Sequence, residues 1–215
     1  MPGPFAVDPD SLCMKCAEFR NSPQLRFDPD IFVCNEQRCR HRAEIRNKKA
    51  FMSEETTVFD YIKNYPLQRT WEEILIHHSA TPDGATYDTA AIKNYHVNTK
   101  GWNDIGYHFL LEFMNGRLSY VIGRGMNDDG AHTIGRNKQA IGICVVGNFD
   151  IIEPSHQHYF LTACLCREIM RKCSIPAWKV NPHWAYADKS CPGKMFNTVK
   201  LRYEYIEKCI KENAA

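Results

Sequence analysis

The clearest pattern in the chain is the apolar run Ile74-Leu75-Ile76, which ends in two adjacent histidines, His77 and His78. A short apolar run closed by Thr81-Pro82-Asp83-Gly84 reads as a buried strand over about 73–79 followed by a turn. Ala91, Ile92 and Tyr95 then fall on one face of a helix predicted over about 88–98. The stretch "GYHFLLEFMNGRLSYVIG" reads as a hairpin turning at Asn115-Gly116, and "IGICVVGNF" as a buried central strand. In "SHQHYFLTACLCREIMRKC", Leu161, Leu165 and Ile169 recur at four-residue steps, a helix with Ser155 as its N-cap. "KVNPHW" predicts a last short strand, and Val199, Tyr203, Ile206 and Ile210 share one stripe of a closing helix. Strands and helices mixed in this order, with one hairpin, predict an α/β fold: a mixed central sheet flanked by helices.

Upstream the pattern changes. Residues 1–50 hold four of the ten cysteines and a basic cluster, with few large apolar residues at any regular period. Residues 51–69 form a connector in which Phe59, Ile62 and Tyr65 make a short helical stripe suited to lie on the main domain, residues 70–215. A chain of 215 residues, 44% hydrophobic, suits one ordinary domain with an appendage, and a monomer is expected. The formal net charge of +2 gives no argument for a nucleic-acid partner. No apolar run reaches the roughly 18–20 residues that span a bilayer. The opening "MPGPFAVDPDSLCMKC" lacks the basic-then-apolar order of a signal peptide, so cytoplasmic synthesis is expected. Cysteines made in a reducing compartment read as metal ligands and small core residues rather than disulfides. Cys144, Cys164, Cys166, Cys173 and Cys209, in strand or helix patterns, are expected to be core residues.

Successive strand side chains point to opposite faces, so His77 and His78 cannot both serve one site. Downstream, "NPHWAYADKSCPG" places His183 and Cys191 eight residues apart around a loop that contains Lys189. Imidazole nitrogen and thiolate sulfur are both good zinc ligands, and a catalytic zinc wants three protein ligands with a fourth position open. One of His77 and His78, with His183 and Cys191, would make three.

Four segments in order, "ILIHHSATPDG", "KGWNDIGYHFLL", "GAHTIGRNKQAIGICVVGNFD" and "HWAYADKSCPGKMF", span roughly residues 74–196. Through them the chain resembles the zinc-dependent N-acetylmuramoyl-L-alanine amidases of the peptidoglycan recognition protein superfamily, especially the phage lysins. The resemblance implies that superfamily's fold, with peptidoglycan as partner and the amide between N-acetylmuramic acid and L-alanine as the bond cut. It implies His77, His183 and Cys191 as the ligands of a catalytic zinc, and Tyr107 and Lys189 as catalytic residues. Tyr107 is expected in a strand, and its neighbour His108 is expected to face away as a hydrogen-bonded structural residue. His132 and Asn137 match a loop that lines the substrate groove in relatives. His78 is then expected in structural packing, and His96, His156 and His158 on helices as structural or solvated residues. Non-catalytic receptors of the superfamily typically lack the cysteine ligand, so Cys191 favours an enzyme over a receptor. The lysin resemblance implies action on the cell wall after release through a separate pore protein; recycling of wall fragments in the cytoplasm is the alternative setting.

The resemblance does not reach the first 50 residues. There Cys13, Cys16, Cys34 and Cys39 form a C-x2-C and a C-x4-C separated by 17 residues, the spacing of a zinc ribbon. A second, structural zinc is expected on them, with an iron–sulfur cluster as runner-up and His41 as a substitute ligand for Cys39. Arg38, Arg40, Arg42, Arg46, Lys48 and Lys49 cluster around and after Cys39, and read as a solvated helix face before they read as a grip on an anionic polymer.

Overall fold

The computed structural model describes residues 58–81, 88–114 and 117–207, which belong to one compact unit, Thr56–Ala215. The expected four-cysteine site, the basic cluster, the turns at 82–84 and 115–116, Cys209 and Ile210 lie outside the described residues.

Five strands form one sheet in the order β3-β2-β4-β1-β5: β1 Glu73–His78, β2 Phe109–Met114, β3 Arg117–Ile122, β4 Ala140–Val145 and β5 Val180–Pro182. β2 and β3 pair antiparallel with Met114 opposite Arg117, the hairpin register expected. The other contacts, β2–β4, β4–β1 and β1–β5, are parallel. The sheet is therefore mixed, as its sequence pattern implied. β1 and β4 lie between neighbours, and every one of their residues is buried, which is why β4 and the Ile74-Leu75-Ile76 centre of β1 are apolar.

Parallel register puts side chains of paired residues on one face. Ile74 and Ile76 share a face with Ile141, Ile143 and Val145 and join the larger core. That core is closed by α1 (Val58–Asn64) through Ile62, by α3 (His156–Cys173) through Ala163, Leu165, Cys166 and Ile169, and by the C-terminal helix through Leu201 and Ile206. Ser155 caps α3 in a reciprocal box with His158, so that two amides of the first turn find partners. The opposite face carries Glu73, Leu75 and His77 against Ala140, Gly142 and Cys144. Its apolar cluster is small: Ile92, Ile105, Leu110, Cys144 and Val146. No helix among the described residues is long and apolar enough to cross a membrane.

Two helical expectations are corrected. α2 (Thr89–Asn94), capped by Asp88, continues as a π-helical turn over Tyr95–Thr99. Ile92 and His96, four residues apart, face inward, and Tyr95 is exposed. The last helix, α4 (Thr198–Lys200), also widens into a π-helical stretch, Leu201–Ile206. Leu201 and Ile206, five residues apart, are buried, whereas Val199 and Tyr203 are exposed. A stripe drawn at 3.6 residues per turn fails where hydrogen bonds run i to i+5.

Candidate metal centre

β1 delivers the two histidines to opposite faces. His77 emerges on the thinly covered face, beside Cys144 of β4. His78 turns to the other side, stacks on Phe149 and accepts the Phe149 amide on Nδ1 at 3.2 Å. β5 pairs Ile76 with Pro182, and the chain turns at once into a single 3-10 turn that starts with His183. The His77 and His183 rings stand 4.5 Å apart, centre to centre.

Cys191 is brought back by the loop that follows. The Trp184 amide donates to the Cys191 carbonyl at 2.9 Å, closing the loop on itself. Asp150 clamps the far side, taking the Ser190 hydroxyl at 2.8 Å and the Lys194 amide at 2.9 Å. The Cys191 sulfur accepts the His78 amide at 3.4 Å and lies 3.6 Å from His77 Nδ1. One donor atom each from His77, His183 and Cys191 falls within 4.8 Å of the other two. Tetrahedral zinc, with bonds of about 2.0–2.3 Å, separates its ligand atoms by about 3.5 Å. Two imidazoles and a thiol at this spacing fit such an ion.

Burial dominates the electrostatics. It holds His77 well below the ordinary histidine range, with His132 and His183 adding to the effect, so the ring is neutral and has a lone pair to give. Burial pushes the Cys191 thiol up to about 12, against the His78 amide and the Lys189 charge. A metal must displace that proton to bind sulfur.

Tyr107 precedes β2 rather than lying in a strand. Its ring packs 5.3 Å from that of His77, and burial and the neighbouring Cys144 raise its phenol well above the ordinary range. Lys189 is exposed at the rim, near enough for its charge to be felt at His77, His183 and Cys191. His132 does not line an open groove. It is buried behind His77, its Nδ1 3.1 Å from His77 Nε2 and its Nε2 3.2 Å from the Ala140 carbonyl. Asn137 turns its side-chain oxygen inward and accepts the amides of His132 and Thr133, both at 2.8 Å.

His108 and His96 are structural. His108 accepts the Gly142 amide and donates to the Asp128 carbonyl; His96 accepts the Gly106 amide and packs on Trp102. Cys144 and Cys166 are buried, and Cys164 and Cys173 partly so.

Sequence reasoning missed Glu73, fully buried on the site face of β1. Its carboxylate accepts Arg136 Nε at 2.6 Å, the Tyr186 hydroxyl at 2.7 Å and Asn181 Nδ2 at 3.0 Å. The acid thereby ties the loop of His132 to the loop between His183 and Cys191. A glutamate directly before the apolar run Ile74-Leu75-Ile76 was the available signal.

The N-acetylmuramoyl-L-alanine amidase family model matches residues 67–194. The human N-acetylmuramoyl-L-alanine amidase is 29% identical over 156 residues, 66% of this chain and 26% of that protein. The chain spans from about a quarter to about a half of the first curated relatives it matches. Among solved structures, Drosophila PGRP-LB superposes with a TM-score of 0.55 at 29% identity, over 65% of this chain and 85% of that one. The endolysin amidase LysCS from Clostridium intestinale gives 0.54 at 25% identity, over 64% and 91%. Structural neighbours thus include both recognition proteins and an endolysin, and the family model covers more than half of the sequence, including both histidine ligand candidates and the cysteine. The chain belongs to the N-acetylmuramoyl-L-alanine amidase family.

Proposed function

We propose that the protein is a zinc hydrolase that cuts the amide between N-acetylmuramic acid and the L-alanine of peptidoglycan stem peptides. The observation that carries this reading is the donor cluster of His77, His183 and Cys191, all buried and within 4.8 Å of one another. These three would hold the ion. Bound zinc lowers the pKa of water from ~15.7 toward about 7 and polarises a carbonyl, the two deficits that make amide hydrolysis slow.

The remaining chemistry falls to side chains around the cluster. Lys189 places a positive charge at its rim, where it would stabilise the negative charge growing on the amide oxygen, an effect worth roughly 3–4 kcal/mol per donor in hydrolases. Tyr107, its phenol held protonated by burial, would act as a hydrogen-bond donor beside His77. A recognition protein without turnover is the competing reading, since PGRPs are among the relatives; the thiol in the cluster and Lys189 beside it favour the enzyme. The endolysin neighbour supports a lytic role on the wall, in a phage or prophage setting, over recycling of fragments. The first 50 residues would add a structural zinc on Cys13, Cys16, Cys34 and Cys39, making two zinc ions per chain.

The test is incubation of the zinc-loaded full chain with purified peptidoglycan, with released stem peptides followed by mass spectrometry. Free peptides beginning with L-alanine are expected. Binding to the wall with no release would establish the receptor instead. Faster release from soluble fragments than from intact wall would favour recycling.

A further inference from the structure

We infer that His132 is a positioning residue that fixes the tautomer of His77, so that Nδ1 is the atom His77 offers to the metal. The inference deepens the metal-site reading above and rests on it for its functional meaning.

The proton order follows from a group that cannot change roles. The Ala140 carbonyl oxygen only accepts, and His132 Nε2 lies 3.2 Å from it, so that nitrogen carries the hydrogen. Among the described residues, no carboxylate is a hydrogen-bond partner of the His132 ring. A neutral imidazole has one N–H, which makes His132 Nδ1 an acceptor. His77 Nε2 stands 3.1 Å from that acceptor, where two facing lone pairs would repel, so it is placed to donate. Thr133 Oγ1, 3.1 Å from His132 Nδ1 and 3.4 Å from His77 Nε2, can donate to the first and accept from the second. The lone pair of His77 is left on Nδ1, the nitrogen 3.6 Å from the Cys191 sulfur.

The backbone has been cleared for this ring. A Cβ on Gly130 would sit 2.4 Å from His132 Cδ2, and one on Gly142 would sit 2.5 Å from it. One glycine belongs to the loop and the other interrupts the central strand β4. Asn137 accepts the amides of both His132 and Thr133, which holds the pair at the mouth of that slot. With both ring nitrogens engaged inside the protein, His132 has no atom left for a substrate.

Metal-binding histidines commonly donate their second nitrogen to such a partner, and losing it weakens metal binding about 10–100-fold. The experiment has two readouts on the full chain. The first is the tautomer of His77 in metal-free protein labelled with ¹⁵N-histidine, its signal assigned by its disappearance in His77→Ala. The wild type should carry the proton on Nε2; a proton on Nδ1 overturns the inference. The second is zinc affinity of the His77 site by chelator competition, with Cys191→Ala as the baseline. His132→Ala should weaken binding by ten-fold or more, and His132→Asn, whose side-chain oxygen can take the place of Nδ1, should restore most of it. Wild-type affinity in a folded His132→Ala overturns the inference. If that variant does not fold, the wild-type tautomer still decides. Zinc that fails to bind a wild type of the expected tautomer would defeat the metal reading and leave the proton assignment standing.

Discussion

The Cys191 sulfur accepts the backbone amide of His78 while it faces the imidazole of His77. One histidine thus contributes its main chain to the site and its neighbour contributes its side chain. Alanine at the two positions should therefore differ in kind. His77→Ala should lose one equivalent of zinc relative to wild type. His78→Ala should keep the ion, because its amide remains, and should lose about 1–3 kcal/mol of stability through the orphaned Phe149 amide. Metal analysis and urea unfolding of the two variants separate these outcomes; equal metal loss would mean that the assignment of faces is wrong.

Glu73 should matter although it lies well away from the ligands. Glu73→Leu leaves Arg136, Tyr186 and Asn181 without their common acceptor. Arg136 is partly exposed and can recover some hydration, so a cost of about 2–4 kcal/mol is expected rather than the full penalty of a broken buried pair. Glu73→Gln keeps the shape and should cost less, about 1–2 kcal/mol. Urea midpoints unchanged from wild type in both variants would show that the network holds nothing in place.

Gly193, two residues past Cys191, adopts φ +111°, and a Cβ there would sit 2.5 Å from the Phe149 carbonyl carbon. Backbone cannot yield as a side-chain tip can. Gly193→Ala should cost more than about 2 kcal/mol and weaken metal binding by displacing the Cys191 loop. Gly101 offers the control: φ is +70° and nothing lies within 4 Å, so Gly101→Ala should cost only about 1 kcal/mol. Thermal unfolding and metal titration of the pair would reveal the difference, and similar behaviour would refute it.

Stability should fall as the pH drops below about 6.5. Burial lowers His108 from the ordinary 6.5 to about 4. Between these values the unfolded chain takes up a proton that the folded chain refuses, so this contribution is full above pH 6.5, declines as pH falls, and is exhausted below about 4. The slope is at most about 1.4 kcal/mol per pH unit for one histidine. His158, also lowered to about 4 by burial, acts in the same window. His108→Gln should flatten the dependence by about one proton in urea unfolding of metal-free protein between pH 7 and 4; an unchanged slope would contradict the burial argument.

Much of this was legible in the sequence because it depends on short-range periodicity. The alternation through Ile74, Leu75, Ile76, His77 and His78 carries the two faces of β1, and Ser155 announces the start of α3. What stayed hidden depends on partners distant in sequence or on a changed period. Tyr203 shares a 3.6-residue stripe with Val199 and Ile206 yet is exposed, because a π-helical turn cannot be read from spacing. The place of His132 had a signal that went unused: Gly142, alone inside a run of apolar β-formers, marks a close approach by another group. Nothing local, however, names that group as a histidine ten residues earlier.

The shortest strand carries the longest consequence. β5 is three residues long, lies at the sheet's edge, pairs with β1 alone among the described residues, and runs straight into His183. An ion shared between His77 and His183 would clasp that edge shut, fastening by coordination what three residues of pairing hold weakly. Chelation should then release the margin without melting the middle. In hydrogen exchange, amides over residues 180–191 should speed up on adding chelator while those of β4 keep their protection. Uniform acceleration across both would mean that the sheet opens as one piece.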